Sequence, residues 1–312
     1  MVSLGLSLIA GSIAETVTEV EATRVGRTLR LIGLVVLALV AFAANSVLAR
    51  LALGGHAMGP GAYTGVRLVA GAVTLFGLVA ARGQMPGLRE AINSRTRWLA
   101  AGALFFYALA FSIAYLALGA GTGALILFAT VQFTILGWAL LKGDRPGVVA
   151  LGGLAVALAG FIYLVSPGLK APDPLGAAMM VAAGLCWAVY TLLGRGSKAP
   201  LVETMQNFVL ALPPALLCTL AVVAEGWSWP GLGWAVASGA LASGVGYAIW
   251  YAALPLLSRS QSGIVQLAVP AIAALAGIAF LGEEPTLRLG ISTALILGGV
   301  AVAIAVRPAA RR

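Results

Sequence analysis

Arg67 is the one charged side chain set well inside a long apolar run of this sequence. A guanidinium there has two uses. It can clamp the carboxylate of a bound small molecule through its fork of N–H donors, or it can serve the fold by bonding carbonyls or snorkelling outward. Unpaired in lipid it would cost at least about 2.5 kcal/mol on insertion scales. Glu203 opens a later run, where it can pair with Arg195 or Lys198 or act as a proton-exchanging carboxylate. No other Asp or Glu falls inside a run, and the single histidine, His56, lies between runs, so a proton relay has almost no groups to use. HExxH, Walker A, paired carboxylates and Cys/His clusters are all absent from the sequence, which leaves no framework for metal, nucleotide or acid–base chemistry. Lys142, Lys170 and Lys198 all lie between runs, which leaves no lysine for a Schiff base deep in a span. Neither a metal nor a cofactor is expected.

The aromatic and small polar residues carry more information. Tyr107, Phe111 and Tyr115 recur at steps of four; Trp187 and Tyr190, and Tyr247, Trp250 and Tyr251, also share helical faces. Trp98, Trp227, Trp229 and Trp234 sit at the ends of runs, as an interfacial belt would. The deeper rings either line a cavity or pack a bundle. Asn45, Ser46, Thr130, Gln132, Thr191, Gln206, Asn207, Ser243 and Gln266 are scattered over many runs, as expected where helices converge on a polar chamber. Such a chamber suits a small zwitterion or amphiphile better than a phosphorylated sugar, which recruits several cations. Pro214 (after Pro213) and Pro270 interrupt runs and are candidate gating points, with packing kinks as the other reading.

These residues are positioned by helices in a membrane. Of 312 residues, 61% are hydrophobic and 9% charged, with a mean hydropathy of +1.02; soluble domains carry roughly a quarter charged residues. Ten runs match the ~20 apolar residues a bilayer span needs. They are Leu31 to Leu53, Ala62 to Ala81, Trp98 to Leu118, Gly123 to Leu141, Val148 to Val165, Leu175 to Leu193, Val202 to Val223, Trp234 to Leu254, Gly263 to Leu281 and Leu287 to Val306. With both termini cytoplasmic, 15 of the 19 Lys and Arg fall inside and only Arg50, Lys170 and Arg288 outside. That distribution explains the net charge of +9 without a nucleic-acid partner. Residues 1–30 read as a loose or interfacial cytoplasmic tail, because no Lys or Arg precedes Val2 to Ala10 as a signal peptide requires. Cys186 and Cys218 lie in apolar runs and are expected to be free.

A shift of 140 residues places Tyr107 on Tyr247, Gly123 on Gly263, Gly137 on Gly277 and Asp144 on Glu284 without a gap. Residues 31–166 and 174–306 therefore read as two five-helix repeats. An odd helix count inserts the second repeat upside-down, the arrangement that supports alternating access; a duplication that merely enlarged an inert bundle is the other reading.

Ten helices as five plus five resemble the drug/metabolite transporter superfamily, in its EamA-domain branch. The resemblance rests on Phe42-Ala43-Ala44-Asn45-Ser46 ending at Arg50, on Arg67, on Gly123 to Asp144-Arg145-Pro146, and on Gly263 to Glu283-Glu284-Pro285 with Pro270 inside. Among subfamilies the sequence is most similar to the YddG-type aromatic amino-acid exporters, although Phe42 and Arg50 stand where Trp and Lys are common. The resemblance implies an all-α, multi-pass protein of the inner membrane that exports amino acids, aromatic ones included, and a monomer is compatible with it; the lack of titratable groups within the runs points to uniport or exchange. The substrate site is expected at Asn45, Arg67, Tyr107, Phe111, Gln132, Trp187, Tyr190, Asn207, Ser243, Tyr247, Trp250 and Gln266. A membrane-embedded enzyme and a non-transporting scaffold are the alternatives, and the missing acid–base cluster argues against the first.

Overall fold

A computed structural model describes residues 2–55, 57–85, 87–143, 147–168, 171–257 and 259–305, and these are helical apart from connecting turns and one isolated bridge between Met58 and Trp227. The helices are α1 (Val2–Leu53), α2 (Pro60–Ala81), α3 (Leu88–Ile92), α4 (Arg95–Ala114), α5 (Ala120–Leu141), α6 (Val148–Val165), α7 (Pro174–Leu193), α8 (Pro200–Leu210), α9 (Leu212–Leu220) and α10 (Val222–Glu225). They continue with α11 (Trp229–Ala237), a π-helical stretch (Ser238–Val245), α12 (Gly246–Ala253), a 3₁₀ turn (Leu254–Leu256), α13 (Arg259–Gln266), α14 (Ala268–Leu281) and α15 (Leu287–Ala305). Among the described residues, nine helical stretches are long and apolar enough to cross a membrane, or ten if bent α8–α9 is one span. The fold is therefore a multi-pass helical bundle.

α1 is 52 residues long, far more than the ~30 Å hydrocarbon core requires at 1.5 Å per residue. Its apolar span is Thr28–Leu53. The segment expected as a loose or interfacial tail is helical from Val2 and continuous with the first span. The expectations placed on His56, on the Asp144-Arg145-Pro146 turn, on Lys170 and on the last arginines lie outside the described residues.

Successive spans alternate direction, so the bundle has two faces. One carries the C-terminal end of α1 and the N-termini of α2, α5 and α7; this is the Arg50 face. The other carries the N-termini of α4 and α8; this is the Arg97 face. α6 packs along α15, α4 along α7, α1 along α11 and α12, α5 along α7, α14 along α1, α2 along α9, and α5 along α14.

Glycine permits the closest approaches. A Cβ on Gly239 would overlap the Arg67 carbonyl, so the π-helical stretch can lie against α2 only without one. Gly153 and Gly299 meet backbone to backbone between α6 and α15. With no hydrophobic force between helices in lipid, such close packing is what joins them.

The expected helix breaks occur, but not at the prolines. The seventh run divides at Ala211, where α8 and α9 meet at 46°. Pro213 and Pro214 fall in the first turn of α9, where a missing N–H costs no helical bond. Pro270 likewise falls in the first turn of α14, after a turn at Leu267.

Candidate functional site

Phe42, Asn45 and Ser46 share one face of α1 because they stand at helical spacings of three and four. They line a small central cavity of about 40 Å³ together with Tyr107 and Phe111 of α4, Leu127 and Phe128 of α5, Trp187 of α7, Ala242, Tyr247 of α12 and Gln266 of α13. Elements from both halves of the chain thus surround one space.

The rings form a continuous column beside this cavity. Tyr115 meets Phe111 edge-on at 4.6 Å, Phe111 meets Tyr107 at 5.5 Å, and Tyr107 meets Trp187 at 4.8 Å. Trp187 then stacks on Tyr190 at 5.2 Å and on Tyr247 at 5.8 Å. Phe42 touches both Tyr247 and Trp250 at 5.9 Å. Offset and edge-on contacts of this kind hold each ring in place.

Six of the expected site residues line the cavity: Asn45, Tyr107, Phe111, Trp187, Tyr247 and Gln266. The other six are not among its lining residues. Arg67 is 2% exposed. Its Nη2 donates to the Tyr107 hydroxyl at 3.1 Å, and its guanidinium lies 4.8 Å from the Phe111 ring centre. It therefore braces the wall through the ring faces. Tyr190 donates to Thr204 at 3.4 Å toward the Arg97 face, and Trp250 stands edge-on to Phe42. Gln132, Asn207 and Ser243 are buried within the bundle. Arg67 Nη1, Asn207 Oδ1 and Ser243 Oγ have no hydrogen-bond partner among the described residues.

Asn45 is held by a polar chain: Tyr63 donates to Ser238 at 2.7 Å, and Ser238 donates to the Asn45 side-chain carbonyl. Gln266 bonds back to the Ser262 carbonyl at 3.2 Å, which turns its side chain along its own helix. Neither Leu127, Phe128 nor Ala242 carries a chemical signal in the sequence; they are apolar residues in apolar runs. Phe42 and Ser46 are readable from their spacing to Asn45.

Two ion pairs stand at opposite ends of the ring column. On the Arg97 face, Arg97 Nη2 lies 2.6 Å from Glu203 Oε2, so Glu203 pairs with a distant arginine and not with the expected Arg195 or Lys198. The chain folds α4 against α8, which sequence proximity could not reveal. On the Arg50 face, Arg50 Nε lies 3.7 Å from Glu283 Oε1, and Arg50 Nη1 donates to the Tyr115 carbonyl at 2.9 Å. Glu283 accepts from the Ala120 N–H at 2.7 Å, which places a carboxylate on the positive end of α5. Glu225 does the same for α2 through the N–H groups of Gly61 and Ala62.

Beyond the Arg50–Glu283 pair lies a larger pocket of about 310 Å³, lined by both of these residues with Thr122, Asp173, Glu284 and Arg288. Arg288 Nη1 donates to the carbonyls of Tyr163 and Leu164 at 3.3 Å and to that of Ser166 at 2.5 Å, and so caps α6. Among the described residues no group of three His, Cys, Asp or Glu could hold a metal ion. The arrangement offers a partly open space lined by aromatic rings and amides.

Comparison with known proteins agrees with this architecture. The model of the EamA-like transporter family matches residues 174–305. An uncharacterized protein of Pseudomonas aeruginosa is 47% identical over 275 residues, covering 88% of this chain and 94% of its own. The threonine/homoserine exporter RhtA of Escherichia coli is 29% identical over 167 residues, which cover 51% of this chain and 57% of RhtA, so the match spans little more than half of that relative. A crystal structure of a protein 22% identical has a TM-score of 0.61 and covers 87% of this chain and 98% of its own, which shows a shared fold. The second half of the chain thus matches the EamA-like transporter family, and the chain is similar in part to a threonine/homoserine exporter.

Proposed function

We propose that the protein is a secondary transporter of neutral amino acids in the inner membrane, exporting them by alternating access as a uniporter or exchanger. The single observation that carries this is the central cavity, walled by α1, α4 and α5 from the first half and by α7, α12 and α13 from the second. Its lining of rings, one amide on each side and a hydroxyl suits a zwitterion whose side chain is apolar or lightly polar. The name of RhtA supports small hydroxylated amino acids. The stacked column of Tyr107, Trp187 and Tyr247 supports aromatic ones, as in the YddG-type exporters.

The two five-helix units, residues 31–166 and 174–306, are read as inverted repeats. Helix packing supports this. Exchanging the halves sends the α4–α7 contact onto that of α11 and α12 with α1, and α5–α7 onto α14–α1, while α6–α15, α2–α9 and α5–α14 map onto themselves. In this reading the Arg97 face is cytoplasmic, which the Lys and Arg distribution supports. The two ion pairs close the cavity at either end, and rocking of the halves releases one and then the other. Purified protein in liposomes, tested for uptake of labelled threonine, homoserine, phenylalanine and tryptophan, tests the reading. Saturable uptake of at least one is expected, and uptake of none would remove it.

A further inference from the structure

The pocket of about 310 Å³ on the Arg50 face is several times larger than the central cavity, and the Arg50–Glu283 pair and Tyr115 stand between the two. Its wall is unusual in this chain for carrying both signs of charge: Arg50 and Arg288 against Asp173, Glu283 and Glu284. A simple anion there meets three carboxylates, and a simple cation meets two guanidinium groups. A molecule with one charge of each sign, a short distance apart, matches both.

The pair itself is built to be opened. Glu283 is placed by Gly282, whose φ of +66° turns the chain out of α14. Its carboxylate lies in a cradle that a Cβ on Gly119 or Gly277 would invade, at 2.9 and 2.5 Å. There its oxygens are engaged by the Ala120 N–H. Arg50 Nε consequently faces Glu283 at 3.7 Å, too far for a hydrogen bond, and is buried with no hydrogen-bond acceptor among the described residues. A buried donor without an acceptor favours any carboxylate that can reach it.

We infer that this pocket is a second binding site, for α-amino-acid zwitterions, in which the ligand's carboxylate replaces Glu283 beside Arg50 and so releases the closure of the Arg50 face. The ligand's ammonium group lies against the carboxylates of the wall. The identity of the ligand rests on the proposed amino-acid transport; the site rests on the pocket and the unused donor.

The test uses full-length protein in liposomes with Thr122→Cys as reporter and Cys186→Ser and Cys218→Ser to remove the native thiols. A membrane-impermeant thiol reagent is applied to each side separately, with and without added threonine or tryptophan. Labelling from one side only, slowed at least fivefold by the amino acid but not by its methyl ester or by the decarboxylated amine, is expected. Arg50→Gln should abolish the protection, and Tyr107→Ala, which alters the central cavity, should leave it. Failure of the Thr122→Cys reporter to label, equal protection by the amine or ester, or loss of protection in Tyr107→Ala would overturn the site. Protection without counterflow of any amino acid would retain the site and refute the transport reading; counterflow without protection would do the reverse.

Discussion

Arg97 Nη2 and Glu203 Oε2 lie 2.6 Å apart and join the start of α4 to the start of α8, at the end of the ring column opposite the Arg50–Glu283 pair. The side chains of Arg97 and Glu203 are about one-fifth exposed. Pairs in such a setting contribute roughly 0.2–1 kcal/mol, so this contact cannot hold the fold together. It is well sized to bias two conformations, since about 1 kcal/mol is a fivefold change in their ratio.

Glu203→Gln should therefore leave thermal unfolding within about 3 °C of the parent, given a loss of at most ~1 kcal/mol. It should speed labelling of an Asn207→Cys reporter, at a position buried in this conformation, by about fivefold. The charge-swapped double variant, Arg97→Glu with Glu203→Arg, should restore the slow rate. Unchanged labelling in Glu203→Gln would show that the pair has no part in closing this face.

Tyr107→Ala and Trp187→Ala remove a contact at 4.8 Å in the cavity wall. Each should weaken substrate transport by about fivefold or more, corresponding to ~1 kcal/mol per lost ring contact. Trp250 touches Phe42 from outside the wall, so Trp250→Ala should lower thermal stability more than it lowers apparent affinity. Full transport in folded Tyr107→Ala and Trp187→Ala would mean that these rings only pack the bundle.

Gly239→Ala drives a methyl group into the Arg67 carbonyl, which belongs to backbone and cannot swing away. A loss of about 1–3 kcal/mol is expected from such overpacking. Gly233→Ala is the control, because nothing lies within 4 Å of its Cβ position. Thermal unfolding in detergent should separate the two clearly; equal midpoints would contradict the close approach of α2 to the π-helical stretch.

The spans are legible because apolar length is a local property of the sequence, and so are the rings at steps of four. Half of the site is not legible in this way. Arg67 reads either as a ligand clamp or as a structural cation because charge inside an apolar run demands a partner; its hydrogen-bond partner Tyr107 lies forty positions away, and the pattern does not name it. Glu203 has cations near it in sequence, whereas α4 brings Arg97 to it across the bundle. Asn207, Ser243 and Gln132 stand out by polarity alone, and polarity does not report which side of a helix meets the cavity. Leu127, Phe128 and Ala242 line it without any chemical mark. The helix breaks at Ala211 and Leu267 precede the prolines that signal them, because proline is tolerated in a helix's first turn.

Among the described residues no Asp, Glu or His lines the central cavity. Imposing a pH gradient across the vesicle membrane should therefore change steady-state amino-acid accumulation by less than about twofold, in Glu203→Gln as in the parent. Accumulation well above equilibrium that is driven by the gradient and lost in Glu203→Gln would make that carboxylate a coupling group.

The most direct measurement is counterflow: vesicles holding purified protein are preloaded with an unlabelled neutral amino acid, and entry of the same labelled compound is followed with no other gradient present. Alternating access around one cavity predicts a transient overshoot of label that requires the preload and is weakened by Tyr107→Ala. Absence of overshoot for every neutral amino acid, with folded protein in the membrane, would contradict it.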